Sequence, residues 1–292
     1  MTRIIQSLAE VSADYDVLFC DLWGFLHNGL APFPAAVAAL RAFRGRGGRV
    51  VLLTNAPRPS ADVRRHLAHL GVPEDCHDAV VSSGDAAQGV MFSGAVGRRV
   101  WAIAGPKDEG FFAAPPPEWR DAPPIQRVAS LDEAEGIVCT GLADDLTETP
   151  EDYRDLLARA RARDLPMLCA NPDIVVDLGE RRLYCAGALA ELYEQMGGRT
   201  IYSGKPHAPI YDLARRRLGL AEGARARILA VGDGIDTDIR GAAAQGIDAI
   251  FITGGLAWDQ FGADPESPDP AGLEAWLAIR GQHPRYAMGR LR

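Results

Sequence analysis

Short apolar runs alternate with segments of helical period along most of this chain. Strand-like runs fall at 16–20, 49–53, 79–82, 99–104, 136–140, 166–170, 227–231 and 248–252. Between the first two lies Pro34–Phe43, which opens on proline and stops at Gly45 and Gly47-Gly48, as a helix should. Further helices are expected near 60–70, 84–92, 151–163, 187–196, 207–218, 237–245 and 271–279. Strands of this length separated by helices specify βαβ units and a mainly parallel sheet, an α/β fold. A boundary is expected after about residue 95, at Ser93-Gly94-Ala95, and another near Gly197-Gly198. Residues 96–199 would then form an inserted α/β domain, with 1–95 and 200–292 making the other. The proline-rich stretch from Ala113 through Pro124 reads as a loop, and Gly262–Pro270 as a surface connection.

Several function classes are disfavoured by composition. The 292 residues suffice for two domains. The formal charge of −8 argues against a general nucleic-acid surface. No apolar run reaches the length needed to cross a bilayer, and the N-terminus is a poor signal peptide. The five cysteines contain no CxxC pair, which predicts buried free thiols, no zinc site and a cytoplasmic protein.

Chemistry-bearing residues recur at the ends of the strand-like runs. Asp21 follows Val17-Leu18-Phe19-Cys20 and is followed by Leu22-Trp23-Gly24. Thr54-Asn55 follows Val50–Leu53, and Asp233, Asp236 and Asp238 follow Ile228–Val231. Lys205 lies in Ser203-Gly204-Lys205-Pro206. Each has an ordinary alternative: a helix cap for Asp21, Thr54 or Asp238, a turn for Gly24 and Asn55, a solvated side chain for Lys205. Taken together they fit metal-assisted phosphoryl transfer to an aspartate. Asp21 would attack phosphorus, Gly24 would let backbone and phosphate approach, and Thr54, Asn55 and Lys205 would hold phosphate oxygens. Three acids within six residues repel one another unless a cation sits among them. Hard oxygen donors favour Mg²⁺, with Asp21, Asp233 and the Trp23 backbone carbonyl as direct ligands and Asp238 beside them.

These motifs, in this order, resemble those of the haloacid dehalogenase superfamily of phosphohydrolases. The insertion between Thr54 and Lys205, with Thr54-Asn55 and Ala170-Asn171-Pro172-Asp173, resembles the class IIA branch of nitrophenyl-, pyridoxal- and sugar-phosphatase-like proteins. The resemblance implies a doubly wound, Rossmann-like core, an α/β cap of the C2 type that can support a homodimer, Mg²⁺, and a small phosphorylated substrate. Active phosphatases of the superfamily carry a second aspartate where this chain has Trp23. Indole can neither protonate a leaving oxygen nor activate water. His27 is the nearest replacement acid, or else a structural histidine. Asn171 and Asp173 either select the substrate or simply form a turn. The leading expectation is a Mg²⁺-dependent hydrolase working through an aspartyl phosphate. The alternatives are a phosphatase restricted to good leaving groups and a non-catalytic phospholigand-binding protein.

Overall fold

The computed structural model describes residues 1–24, 26–113, 115–116, 119–178, 181–220 and 226–292. Part of the proline-rich stretch, at Ala114 and Pro117, lies outside these residues. In chain order the strands are β1 (Arg3–Ile4), β2 (Val17–Cys20), β3 (Arg49–Thr54), β4 (Ala79–Ser82), β5 (Arg99–Ile103), β6 (Gln126–Arg127), β7 (Gly136–Cys139), β8 (Pro166–Cys169), β9 (Val175–Leu178), β10 (Arg181–Tyr184), β11 (Arg199–Tyr202), β12 (Ile228–Gly232), β13 (Asp248–Ile252) and β14 (Tyr286–Met288). The helices are α1 (Pro34–Gly45), α2 (Ser60–His69), α3 (Ser83–Phe92), α4 (Glu109–Ala113), α5 (Arg154–Ala162), α6 (Ala186–Gln195), α7 (Ala208–Arg217), α8 (Arg240–Ala244) and α9 (Pro270–Ile279).

The chain divides into two compact units. One comprises Met1–Thr54, Arg64–Val81 and Tyr211–Arg292. Its seven-stranded sheet has the order β1-β14-β13-β12-β2-β3-β4, with parallel pairing from β1 through β3. β2 connects through α1 to β3 on one side, while β12 connects through α8 to β13 on the other. Right-handed crossovers in opposite directions put those helices on opposite faces. The sheet is therefore doubly wound, and its switch point falls between β2 and β12. Every residue of β2 is buried, as a strand covered on both faces must be. Ile239 and Ala242 pack with Phe251, Leu273 and Leu277 on one of those faces.

The second unit comprises Asn55–Val63 and Ser82–Ile210. Its parallel five-stranded sheet runs β11-β8-β7-β5-β6, and β9–β10 form a separate antiparallel hairpin. The segment from Asn55 belongs here because the start of α3 clasps it. Gly84 N–H donates to the Ala56 carbonyl, and the Asp85 carboxylate accepts from Ser60 N–H at 2.9 Å. A Cβ on Gly84 would come within 2.3 Å of the Pro57 carbonyl oxygen, so only glycine permits this approach.

All five cysteines are buried free thiols. No helix among the described residues is long and apolar enough to cross a membrane. Leu18, in the middle of β2, is fully buried. Leu18→Ala should cost about 2–5 kcal/mol, read as a lower urea midpoint at unchanged slope.

Candidate active site

In the first unit Asp21 and Asp233 stand at the carboxyl ends of β2 and β12, which pair in register at Cys20 and Val231. Asp21 N–H donates to the Val231 carbonyl at 3.0 Å, carrying the pairing one residue further. Asp238 joins them through the turn that follows. Residues Ile235–Ile239 form a single π-helical turn before α8, with Ile239 N–H bonded to the Gly234 carbonyl. Such insertions recur at functional sites because they re-aim a side chain. Here the turn brings the Asp238 carboxylate back to accept from Gly234 N–H at 3.1 Å. Asp236 points outward to an exposed ion pair with Arg240.

Ligand oxygens of Asp21, Asp233 and Asp238 lie within 4.8 Å of one another. Asp233 and Asp238 are almost fully buried, and Asp21 is half-buried. This all-carboxylate donor set fits a hard divalent cation such as Mg²⁺.

Glycines make room for the cluster. A Cβ on Gly24, whose φ is +84°, would lie 2.5 Å from Asp233 Oδ2, and one on Gly255 only 2.1 Å away. Leu256 N–H donates to the same oxygen at 2.9 Å. Gly255 and the Leu256 amide were not foreseen from sequence. Their only signal is the doublet Gly254-Gly255 just past β13.

Trp23 and His27 belong to the loop after Asp21. The Trp23 ring meets His27 edge-on, with centroids 5.1 Å apart, and lies against Gly29. His27 is buried, and its Nδ1 accepts from Gly29 N–H at 3.1 Å. Burial, reinforced by His66 and opposed by Asp21, lowers its pKa to about 4. Little imidazolium exists at neutral pH, so the ring is a poor proton donor there. Thr54 is buried at the carboxyl end of β3, beside β2.

The second unit gathers Asn55, Asn171, Asp173 and Lys205. Asn55 Nδ2 donates to Asp173 Oδ1 at 2.8 Å and to the Lys205 carbonyl at 3.1 Å. Asn55 Oδ1 accepts from Lys205 N–H at 2.8 Å. Lys205 is 3% exposed, far from the solvated lysine that its Gly/Pro setting also allowed. Asn171 Oδ1 accepts from Asp173 N–H, fixing the turn after β8. Gly204 was missed by the sequence reading. A Cβ there would come within 2.6 Å of Asn55 Oδ1.

Known hydrolases resemble this chain in sequence and fold. Residues 18–114 match the haloacid dehalogenase-like hydrolase model, and residues 202–270 match a HAD-hydrolase-like model. A haloacid dehalogenase-like family hydrolase from Brucella suis 1330 is 40% identical, with 99% of this chain and 100% of that chain aligned at a TM-score of 0.82. The D-glycerol 3-phosphate phosphatase of Mycobacterium tuberculosis is 28% identical over 88% of this chain and 69% of its own length. A glycerol phosphate phosphatase from the same organism, crystallised with magnesium, aligns with 89% of this chain and 74% of its own at a TM-score of 0.65 and 28% identity.

Two outcomes are expected. Mg²⁺ should raise the Tm of wild type by mass action and leave Asp233→Ala unmoved. Gly255→Ala, which displaces the Asp233 carboxylate and its Leu256 donor, should weaken Mg²⁺ affinity roughly 10–100-fold, measured by titrated thermal shift. The second concerns His27. Its folded pKa lies below the ordinary 6.5, so the unfolded chain takes up a proton first as pH falls. His27 therefore contributes stability above about pH 6.5 that is lost toward pH 4. The Tm gap between wild type and His27→Gln should narrow between pH 7 and pH 5. A constant gap would show that His27 is not held neutral.

Proposed function

Because this chain belongs to the haloacid dehalogenase-like hydrolase family, of class IIA type, we propose that it is a phosphatase of small phosphorylated metabolites working through an aspartyl phosphate. The observation that carries this reading is the convergence of Asp21, Asp233 and Asp238 at the sheet's switch point. The glycerol phosphate phosphatase relatives support the substrate class.

In this mechanism an Asp21 oxygen bonds to phosphorus while the ester P–O bond breaks. The leaving oxygen departs with the bonding pair. Water then attacks phosphorus of the acyl phosphate, releasing phosphate and restoring the Asp21 carboxylate. Thr54 contributes its hydroxyl and Lys205 its ammonium to the phosphate oxygens, and Asn55 holds the Lys205 backbone in place through both of its amide atoms. Asp21, Asp233 and Asp238, with the Trp23 backbone carbonyl, would hold Mg²⁺. When bound, that ion supplies charge neutralisation between Asp21 and the incoming phosphate. Asn171 and Asp173 serve substrate selection at the end of β8.

Trp23 qualifies this reading. Its indole N–H is too weak an acid to protonate a leaving oxygen at the position where the family places its acid, and His27 beside it is held neutral. The leaving oxygen must then take its proton from water, which favours good leaving groups, such as the phenolate of an aryl phosphate or the carboxylate of an acyl phosphate.

General acid assistance is worth roughly 10²–10⁴ in rate. Wild type should show kcat/KM falling steeply as leaving-group pKa rises. Trp23→Asp should flatten that slope, speeding alkyl phosphates most. A wild type that cleaves alkyl phosphates as fast as aryl ones would assign the acid role to another group, with His27→Ala the next variant to assay. Binding of phosphate esters without turnover of any would overturn the phosphatase reading.

A further inference from the structure

The loop after β2 is built around the indole of Trp23. Gly29 adopts φ +86°, and a Cβ there would lie 2.6 Å from Cη2 of the ring and 3.0 Å from Cζ3, so only glycine leaves room for it. His27 meets the ring edge-on, with centroids 5.1 Å apart. His27 is fixed in turn: its Nδ1 accepts from Gly29 N–H at 3.1 Å, and its backbone carbonyl accepts from Gly24 N–H at 3.2 Å. Asn28 closes the loop, with Oδ1 accepting from Leu30 N–H and Ala31 N–H, both at 2.9 Å. The ring held by all these contacts is still 37% exposed. Ordering a ring that remains partly in water forgoes part of the burial that ordering normally gains. The packing therefore calls for another use.

Apolar exposure is concentrated around this ring. Among the described residues of the first unit, the exposed large apolar side chains are Met1, Trp23, Leu30, Leu256, Trp258 and Ile279. All but Met1 and Ile279 stand on two loops, the one after β2 and the one after β13. The loops touch, since a Cβ on Gly24 would lie 3.8 Å from Gly255 Cα. Both also reach the carboxylate cluster. The same Cβ would lie 2.5 Å from Asp233 Oδ2, and Leu256 N–H donates to that oxygen at 2.9 Å. Apolar residues scattered singly over a surface need no explanation, but a cluster of them marks a binding surface.

We propose that Trp23 is a stacking platform for a planar aromatic leaving group, with Leu256 and Trp258 forming an apolar rim. The proposal rests on the phosphatase reading, in which the residue at position 23 faces the leaving oxygen. It goes beyond the want of an acid there. That want favours every weakly basic leaving group, aryl and acyl alike, whereas an indole favours only the flat aromatic one. Aromatic rings pair with indole offset-stacked or edge-to-face. Because Gly29 and His27 already hold the indole, binding has little left to order on the protein side.

The test compares p-nitrophenyl phosphate with acetyl phosphate, whose leaving groups both depart without an acid. Trp23→Leu keeps an apolar side chain and removes the ring. It should lower kcat/KM for p-nitrophenyl phosphate roughly 3–10-fold relative to acetyl phosphate, through KM. Trp23→Phe should keep most of the preference. An equal loss for both esters, or a ratio that does not move, would show that the ring serves only the loop and overturn the proposal. Calorimetric binding separates it from the phosphatase reading. With Mg²⁺ present, wild type should bind benzylphosphonate, in which CH2 replaces the ester oxygen, more tightly than cyclohexylmethylphosphonate. That preference, lost in Trp23→Leu, supports the platform even if no ester is hydrolysed. A preference that persists in Trp23→Leu overturns it. Equal affinities in wild type overturn it even if esters are hydrolysed, and leave the apolar loops to a protein contact. The wild-type comparison decides the matter if Trp23→Leu does not fold.

Discussion

Mutual repulsion among Asp21, Asp233 and Asp238 is the constraint to which the first unit is fitted. At the 4.8 Å limit of their separation, each charged pair costs about 3 kcal/mol at an effective dielectric constant of about 20. Three such pairs rival the net stability of a whole domain, about 5–15 kcal/mol. Fixed N–H donors offset part of this: Leu256 on Asp233 and Gly234 on Asp238. A divalent cation among the oxygens would offset far more. The glycines follow from the same demand, since a side chain at Gly24 or Gly255 would occupy the space the Asp233 carboxylate needs. The π-helical turn at Ile235–Ile239 follows too, because it returns Asp238 to the cluster while Asp236 points to solvent.

Much of the scaffold was legible because the signal was local. The eight apolar runs became β2, β3, β4, β5, β7, β8, β12 and β13, with ends shifted by no more than one residue. The strands that escaped notice are those whose partners are distant or whose faces are exposed. β1 is two residues long and exists through its register with β14, Arg3 opposite Tyr286, at the other end of the chain. β6 is exposed throughout its two residues. β11 carries no fully buried residue, so its sequence lacks the apolar run that marks a strand covered on both faces.

Site residues divide along the same line. The three acids announce themselves by position, each at or just past the end of an apolar run. The Leu256 amide and Gly255 do not, because a backbone donor has no sequence signature and the loop's approach to Asp233 is tertiary.

Trp23 shows why the departure from the family pattern is not a simple deletion of function. Its indole lies against Gly29, which adopts φ +86°, and meets the edge of His27. His27 in turn accepts from Gly29 N–H and packs edge-on to His66. The loop that carries Asp21 is thus ordered by aromatic contacts in place of a hydrogen-bonded acid. An aspartate at position 23 would regain a proton donor and lose the ring that holds Gly29 and His27. Catalytic competence and loop order are therefore in opposition at one residue. Under the proposed mechanism, a chain that keeps the aromatic solution is expected to show a steep preference for acidic leaving groups.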